Sequence, residues 1–269
     1  MEINRSNIFE IVNTLNLKPD KDYGQNFLIE PQVSQKIVDA LNIKENDNII
    51  EIGPGLGSLT NFLSLTNAKT TVVDIDRRMV DFLNNVYKNA NIRIVENDIR
   101  KEDVFEYNKV IGNLPYNITT EAIQYFLLNA VKAEKMVFMI QSETFNHFYD
   151  VSGKEYGPTS VLIHLLGNIK KLFAVKAGSF YPAPKCGSTV FEINIDARVD
   201  RFAAINAFKV AKQLFANRRK TIQNNLSNYL NDKELANKVC TDLNINPLSR
   251  PEQLQPEIYL AISDYLCKK

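Results

Sequence analysis

The chain has 269 residues, of which 45% are hydrophobic and 23% are charged, and its formal net charge at pH 7 is +1. This size and balance exclude a disordered chain and predict a buried core, with one large domain and a smaller one beside it. No stretch approaches the roughly 18 consecutive apolar residues of a spanning helix, and residues 1–17 lack the apolar run of a secretory signal, so we expect neither a membrane segment nor a leader.

Through the first two thirds of the chain, short apolar runs alternate with amphipathic stretches. The predicted strands are Asn48–Ile52, Thr70–Val73, Ile92–Val95, Lys109–Ile111, Lys135–Ile140, Ile169–Val175 and Thr189–Ile195. The predicted helices between them include Ser58–Leu65, Arg77–Tyr87 and Thr119–Ala130. Strand–helix alternation of this kind predicts the α/β class, with a mainly parallel sheet covered by helices on both faces.

The pattern changes near residue 198, beyond which no strand-like run remains. The predicted helices there are Arg201–Ala216, Lys220–Leu230, Glu234–Leu243 and Glu257–Leu266, the last with Pro256 in its first turn. Residues 198–269 hold 12 Lys and Arg against 7 Asp and Glu, a net charge of +5, whereas residues 1–197 hold 20 against 24, a net charge of −4. We expect one domain over residues 1–197, which begins with a helix and loop in residues 1–47, and an all-helical domain over residues 198–269. The basic charge fits a nucleic-acid surface and a solvated helix surface equally well.

The cysteines and histidines show no pattern of metal ligands. Cys186, Cys240 and Cys267 form no CxxC pair and no even disulfide set, which is typical of a protein of the reducing cytoplasm. His147 and His164 have no partner at ligand spacing. The sequence therefore predicts no metal site.

An apolar strand runs directly into a glycine-rich turn. Gly53, Gly55 and Gly57 have the spacing G-x-G-x-G, and glycines here allow a tight turn with positive φ and a close approach of ligand to backbone. Glu51 places a carboxylate beside the turn. Such a carboxylate repels a diphosphate and suits a ligand with an ammonium or sulfonium cation. A turn that only connects strand and helix is the alternative.

Acidic residues follow the next two predicted strands. Asp74, 21 residues past Gly53, is placed to accept hydrogen bonds from ribose hydroxyls, which indicates a nucleoside ligand. Asp98 follows the third strand, where it can accept from an adenine amine or form a turn. Asp76 is predicted to be the N-cap of the helix that begins at Arg77.

The fourth strand is followed by the segment Gly112-Asn113-Leu114-Pro115-Tyr116-Asn117. The Asn113 side-chain carbonyl and the Leu114 backbone carbonyl can both accept from an exocyclic –NH₂, and Pro115 fixes the backbone between them. Tyr116 offers a ring face on which a base can stack. An amine held in this way turns its lone pair toward an incoming methyl group. A turn with a buried tyrosine is the alternative.

These motifs resemble those of class I methyltransferases of the N6-adenine type. Three further segments narrow the resemblance to the ribosomal RNA adenine N6,N6-dimethyltransferases, over about residues 23–260. Residues 23–28 (YGQNFL) are similar to that family's FGQNFL segment, which closes over the methyl donor, and residues 180–185 (FYPAPK) are similar to its F-x-P-x-P-K. Residues 215–221 (FANRRKT) resemble F-x-Q-R-R-K-T, which favours the small-subunit enzyme over the macrolide-resistance type.

The resemblance implies a Rossmann-like class I methyltransferase domain with a seven-stranded sheet, and S-adenosyl-L-methionine as the methyl donor. The implied donor-binding residues are Asn26, Leu28, Glu51, Gly53, Gly55, Asp74, Ile75, Asp98, Ile99 and Asn113. The implied acceptor-site residues are Asn113, Leu114, Pro115, Tyr116 and Phe180, with Tyr116 and Phe180 stacking on the two faces of the base. The implied partners of this monomeric enzyme are the small-subunit ribosomal RNA and the immature small subunit, with two methyl groups on each of two adjacent adenines near the 3′ end.

The chain departs from the family pattern in four places. Asp74 stands where the family usually has Glu, and Cys186-Gly187 stands where it usually has Val-Asp. Residues 141–149 lack the basic residues of the family's Q-K-E-V-A-x-R pattern, and residues 157–160 (GPTS) replace its usual GRLS. These departures leave the donor motifs intact and bear on the contacts with the RNA backbone.

Two other functions of the chain stay open, and so does one alternative role for Arg218. The chain can be a large-subunit RNA methyltransferase of the macrolide-resistance type, or a ribosome-assembly binding factor whose catalysis is secondary. A DNA adenine methyltransferase is disfavoured, because its corresponding motif usually starts with Asp. Arg218, Arg219 and Lys220 are expected to meet RNA phosphates, with a buried ion pair to the α/β domain as the alternative for Arg218.

Overall fold

The computed structural model describes residues 1–17, 26–115 and 117–267 of the chain. The strands of the described residues are β1 (Phe27–Leu28), β2 (Asn48–Ile52), β3 (Lys69–Asp74), β4 (Ile92–Glu96), β5 (Lys109–Asn113), β6 (Lys135–Gln141), β7 (Gly167–Val175), β8 (Phe180–Tyr181) and β9 (Ser188–Ile195). The helices are α1 (Ile8–Thr14), α2 (Pro31–Asp39), α3 (Thr60–Leu63), α4 (Arg77–Val86), α5 (Thr119–Asn129), α6 (Asn146–Tyr149), α7 (Pro158–Leu166), α8 (Arg201–Phe215), α9 (Ile222–Leu230), α10 (Lys233–Asp242) and α11 (Pro256–Cys267). None of the helices in these ranges is both long enough and apolar enough to cross a membrane.

Seven strands form one sheet in the order β4-β3-β2-β5-β6-β9-β7. Strand β2 pairs in parallel with β3 and β5, β3 pairs in parallel with β4, and β5 with β6, whereas β9 runs antiparallel to β6. This confirms the predicted α/β class with a mainly parallel seven-stranded sheet. Each of the seven predicted strands is present, and the observed ends lie within two residues of the predicted ones.

The central strands are buried on both faces, as their continuous apolar composition predicts. Ile49, Ile50 and Ile52 of β2 and the apolar residues of β6 are almost completely buried. On one face they pack with Ile37 and Leu41 from α2 and its C-terminal turn. Each such side chain contributes about 1.5–3 kcal/mol to the free energy of unfolding, so this core fixes the register of the strands that carry the site.

The order of the strands places a crevice beside β2. Strands β3 and β4 lie on one side of β2, and β5 and β6 lie on the other side, so the strand order reverses between β2 and β5. Ligands of open α/β sheets bind at such a switch point, outside the carboxyl ends of the strands. The glycine turn, the acidic residues and the Asn113 turn all follow strands β2 to β5 at this edge.

The chain divides into two compact units. The first contains residues 1–143 and 170–194, and the second contains residues 144–169 and 195–269. In the second unit α7 packs against α8 and α11, and almost every residue of α7 is buried. The boundary that we expect at residue 197 places residues 144–169 in the first domain instead. These residues precede the last strand in the chain, and their packing against α8 and α11 cannot be read from the sequence.

A short antiparallel pair lies apart from the main sheet. Phe27 of β1 faces Tyr181 of β8, and Leu28 faces Phe180. The N-terminal helix α1 packs near this pair, because Ile8 shares a hydrophobic cluster with Phe27. This corner adjoins the segment that the sequence relates to donor binding.

Candidate active site

A cavity of about 280 Å³ lies at the carboxyl ends of strands β2 to β5. Its lining joins the β1 segment, the glycine turn, the acidic strand ends and the Asn113 turn. The predicted site residues that line it are Asn26, Leu28, Glu51, Gly53, Gly55, Asp74, Ile75, Asp98, Ile99, Asn113, Leu114 and Pro115. The structure thus brings together all the predicted donor-site residues, while their binding roles stay predictions.

The glycine turn has the backbone that only glycine adopts without strain. Gly53, Gly55 and Gly57 have φ values of +60°, +54° and +85°. A Cβ atom on Gly55 would lie 3.3 Å from the Phe27 ring, and one on Gly57 would lie 2.9 Å from Leu83. The turn therefore depends on glycine both for its φ angles and for the close packing around it.

Asp74 is held by the turn that it faces. Its carboxylate oxygens accept hydrogen bonds from the backbone N–H of Gly55 at 3.1 Å and of Asp76 at 2.9 Å. Burial raises the pKa of the Asp74 carboxyl to about 6, against the lowering effect of these backbone bonds. Each oxygen of a carboxylate has two acceptor sites, so Asp74 retains capacity for the ribose hydroxyls of a nucleoside. The predicted N-cap role of Asp76 is confirmed, because its side chain accepts from the backbone N–H of Arg78.

Glu51 is a buried carboxyl group at the same cavity. Its side chain is 1% exposed, and the Thr60 hydroxyl donates a hydrogen bond to Oε2 at 2.7 Å. Burial raises the pKa of Glu51 to about 8, and the nearby charge of Asp74 acts in the same direction. A cationic ligand favours the ionised form of such a group. Thr60 was not predicted, because its contact with Glu51 arises only once α3 packs beneath the turn.

Asp98 has a partner that the sequence analysis did not identify. The Arg100 guanidinium donates to both Asp98 carboxylate oxygens, at 3.0 and 2.8 Å, and also to Glu121 at 2.8 Å. The hydrogen bond from Arg100 holds the pKa of Asp98 below its usual range. Asp98 also caps a short helix by accepting from the backbone N–H of Arg100. An adenine amine at Asp98 would share this carboxylate with Arg100, which also lines the cavity.

Backbone carbonyls from two distant segments of the chain hold the Asn113 turn. The Asn113 side-chain amide donates to the backbone carbonyl of Asn26 at 3.3 Å, and the Leu114 backbone N–H donates to the carbonyl of Met139 at 3.0 Å. A Cβ atom on Gly53 would lie 3.7 Å from the Pro115 ring. Because the amide nitrogen of Asn113 donates to the Asn26 carbonyl, the Asn113 Oδ1 remains available as an acceptor.

Of the two predicted stacking residues, Phe180 is the one among the described residues. Tyr116, like residues 23–25 of the YGQNFL segment, lies outside the described residues. Phe180 is 3% exposed and packs in the hydrophobic core with Leu28, and it does not line the cavity in the described part of the chain. Its neighbour Tyr181 is half-buried and contacts the ring of Phe9.

In the second unit, Arg218 is engaged by neighbouring groups. Its Nη2 donates to the carbonyl of Gly153 at 3.1 Å, its guanidinium lies 5.4 Å from the Phe215 ring centroid, and its Nε lies 3.9 Å from Glu252 Oε2. Arg219 and Lys220 are exposed. The three basic residues of this cluster therefore have different surroundings.

Comparisons with known proteins agree with this geometry. Residues 4–268 match the family described as "Ribosomal RNA adenine dimethylase". The chain is 38% identical over 245 residues to the ribosomal RNA small subunit methyltransferase A of Malacoplasma penetrans, with 88% of each protein covered. It is 34% identical over 277 residues to the protein of the same name from Alkaliphilus oremlandii, with 97% of this chain and 96% of that protein covered.

Two solved structures share the fold. A dimethyladenosine transferase from Plasmodium falciparum has a TM-score of 0.76 at 22% identity, and the match covers 90% of this chain and 98% of that one. The 23S rRNA methyltransferase ErmE has a TM-score of 0.69 at 20% identity, and the match covers 90% of this chain and 100% of that one. At these identities the likeness concerns the fold alone.

Proposed function

The chain belongs to the ribosomal RNA adenine dimethylase family, and from this membership we propose that it transfers methyl groups from S-adenosyl-L-methionine to N6 of adenines in small-subunit ribosomal RNA. The observation that carries the proposal is the single cavity that joins a glycine turn, buried carboxyl groups and the Asn113 turn. The names of the curated relatives favour the small subunit over the large one.

The cavity fits the methyl donor chemically. Asp74 offers carboxylate oxygens at the end of β3 for ribose hydroxyls, and Glu51 offers a carboxyl group for a cation. Gly53 and Gly55 leave the backbone open to close approach. When bound, S-adenosyl-L-methionine supplies an electrophilic methyl group on a positively charged sulfur.

The residues of this chain contribute mainly by orientation. Asn113 Oδ1 and the Leu114 carbonyl accept the two hydrogens of the adenine amine, which directs the nitrogen lone pair into the cavity. Asn26 holds the Asn113 amide by its backbone carbonyl. The buried lining excludes water from the reacting groups. The amine proton is lost after the nitrogen has become cationic, so the site needs positioning more than a strong base.

The RNA must present its adenine in an accessible form. N6 of a paired adenine is occupied, so the target is unpaired or flipped out of its stack. Stacking by Tyr116 and Phe180 is part of the proposal, and for Phe180 it requires the buried ring to leave its core position. Exposed Arg219 and Lys220 are suited to phosphate contacts, so residues 198–269 are proposed as the RNA-binding domain.

Several finer points belong to the same proposal. The substrate is the immature small subunit, and two adjacent adenines in a loop near the 3′ end of its RNA each receive two methyl groups. The enzyme acts as a monomer in the cytoplasm, during ribosome biogenesis. These points follow the family resemblance, and the basic helical surface is compatible with them.

Transfer of tritiated methyl groups to undermethylated small subunits, followed by nucleoside analysis, tests the proposal. We expect label in N6,N6-dimethyladenosine for the wild type and loss of label for Asn113→Ala, with binding to the subunits retained. Primer extension on both ribosomal RNAs locates the modified bases. Label only in the large-subunit RNA would contradict the proposal, as would wild-type methylation by Asn113→Ala.

A further inference from the structure

An aromatic pair with one exposed ring, that of Phe9, lies near the donor cavity, where helix α1 meets β8. Phe9 of α1 is 60% exposed, and its ring centroid lies 4.8 Å from that of Tyr181, at an interplanar angle of 60°. The rest of α1 turns apolar side chains inward, with Ile8 and Val12 buried. The exposure of Phe9 is therefore a feature of one side of an otherwise well-packed helix.

Several contacts hold this helix in place. Ile8 and Val12 belong to a hydrophobic cluster with Phe27. Arg5, just before the helix, donates to Glu30 Oε1 at 2.9 and 2.6 Å and to the carbonyl of Gly178 at 2.9 Å. An aromatic ring on a fixed support binds a flat ligand with little loss of conformational entropy.

The aromatic pair is connected to the cavity through one more ring. Tyr181 stands directly opposite Phe27 in the β1–β8 pair, and Phe27 lines the cavity. Phe27 follows Asn26, whose carbonyl accepts from the Asn113 amide. A row of rings thus runs from solvent to the segment that orients the acceptor residue.

We propose that Phe9 and Tyr181 form a stacking platform for an unpaired nucleobase that flanks the target adenine in the RNA substrate. The proposal rests on the proposed function, since it takes RNA as the ligand. When an adenine leaves its stack, the neighbouring base loses a stacking partner and exposes a face. A ring such as that of Phe9 covers the face of the base without hydrogen bonds to its edge, so the platform accepts any of the four bases.

The segments that carry the pair hold three exposed cations, Arg5, Lys176 and Lys185, and one exposed carboxylate beside Phe9, that of Glu10. Lys176 and Lys185 are both exposed, and they flank β8 on its two sides in the chain. Arg5 keeps 64% of its side chain exposed beside its ion pair with Glu30. Cations in the same segments as an exposed ring attract the phosphates of a strand whose base stacks on that ring, as in surfaces that bind single strands.

The test compares Phe9→Ala, Phe9→Leu and Phe9→Trp with Phe105→Ala. Phe105 is a matched control, because it is also an exposed phenylalanine, at 45%. Its neighbour Glu106 accepts a hydrogen bond from Asn48 at the amino end of β2, which is the opposite end from the cavity. The first readouts are KM and kcat for undermethylated small subunits. The second is the affinity for a protein-free RNA hairpin with the target loop, in which 2-aminopurine replaces the base beside the target adenine.

We expect Phe9→Ala and Phe9→Leu to raise KM and weaken hairpin binding by about 5-fold to 150-fold, the range of one lost base–aromatic stack. We expect kcat to be unchanged, and Phe9→Trp and Phe105→Ala to resemble the wild type. Fluorescence of 2-aminopurine should fall on binding to the wild type and not on binding to Phe9→Leu. Phe9→Leu keeps an apolar contact with Tyr181, so it carries the test if Phe9→Ala unfolds α1.

Three outcomes would overturn the platform. The first is a wild-type KM for Phe9→Ala, and the second is a wild-type KM for Phe9→Leu, which would show that apolar area is enough. The third is a KM increase on whole subunits with no change for the hairpin, which would indicate a ribosomal protein as the partner. Failure of the wild type to methylate small subunits would instead refute the proposed function.

Discussion

The side-chain amide of Asn113 donates a hydrogen bond to the backbone carbonyl of Asn26, a residue 87 positions earlier in the chain, at 3.3 Å. Asn26 belongs to the segment that the sequence relates to the donor, and Asn113 to the segment that it relates to the acceptor. The contact sets the direction of the Asn113 amide, because its nitrogen donates to Asn26 and its oxygen remains for an adenine amine. An aspartate at the same place lacks that donor.

Asn113→Asp is therefore expected to lower the rate of methyl transfer by about 100-fold, as the loss of one oriented hydrogen-bonding group does in other active sites. The carboxylate faces the Asn26 carbonyl and is repelled by it. Single-turnover rates on undermethylated small subunits, at saturating S-adenosyl-L-methionine, measure the effect, and binding of the variant to the same subunits serves as the control. A variant that reacts at the wild-type rate would refute the orienting role of the Asn26 contact.

The second prediction concerns Glu51 and pH. Its pKa is raised by burial to about 8 in the folded protein, whereas an unfolded glutamate titrates near about 4.3. The folded state thus binds more protons between these values, so this contribution to stability is complete below about pH 4.3 and is lost as the pH rises through about 8. We expect the Tm of the wild type to fall between pH 5 and pH 8 relative to that of Glu51→Gln, measured without ligand. If Tm changed with pH in the same way in the wild type and in Glu51→Gln, the raised pKa of Glu51 would be contradicted.

Two glycines of the same turn differ in what a side chain would meet. Gly57→Ala combines backbone strain at φ +85° with a Cβ atom 2.9 Å from Leu83. Gly53→Ala has φ +60°, and among the described residues its Cβ atom would meet Pro115 at the ordinary contact distance of 3.7 Å. We expect Gly57→Ala to lower the free energy of unfolding by about 3 kcal/mol and Gly53→Ala by about 1–2 kcal/mol. Urea unfolding of both variants checks the difference. Equal losses would show that strain alone matters at Gly57.

Arg218 and Arg219 are neighbours in sequence with different environments. Arg218→Ala removes a hydrogen bond to Gly153 and a contact with the Phe215 ring, so we expect a loss of about 1 kcal/mol and a Tm lower by about 2–4 °C. Arg219→Ala should leave Tm unchanged. It should reduce the slope of log K for RNA binding against log salt concentration by about 1, the effect of one lost phosphate contact. Thermal melts and RNA titrations at several salt concentrations separate the two. If Arg218→Ala instead reduced the salt slope and Arg219→Ala lowered Tm, Arg218 would be the residue that contacts RNA.

The sequence predicts the sheet and the location of the site well, for a physical reason. Buried parallel strands are continuous apolar runs, and their carboxyl ends meet at one edge. The residues that follow β2 and β5, such as Gly53 and Asn113, are therefore brought together by topology alone. This is why the predicted donor residues all line one cavity.

The remaining features depend on contacts between distant segments. The β1–β8 pair has two residues in each strand, which is too short for a recognisable pattern. Helix α7 is apolar on nearly all sides, so it lacks the periodicity that marks a surface helix. Thr60, the partner of Glu51, and Arg100, the partner of Asp98, belong to no motif. Phe180 is buried, although the family resemblance implies that its ring stacks on a base.

The space beside Gly53 is bounded by the Pro115 ring, which a Cβ atom on Gly53 would meet at 3.7 Å, and this has a consequence for engineering. The two turns share one wall, so a bulkier loop transplanted after β5 would press on the glycine turn. A change of acceptor, for example to a larger base, would therefore require both loops to be exchanged as a matched set. Directed evolution that randomises both loops together would therefore sample combinations that fit one another.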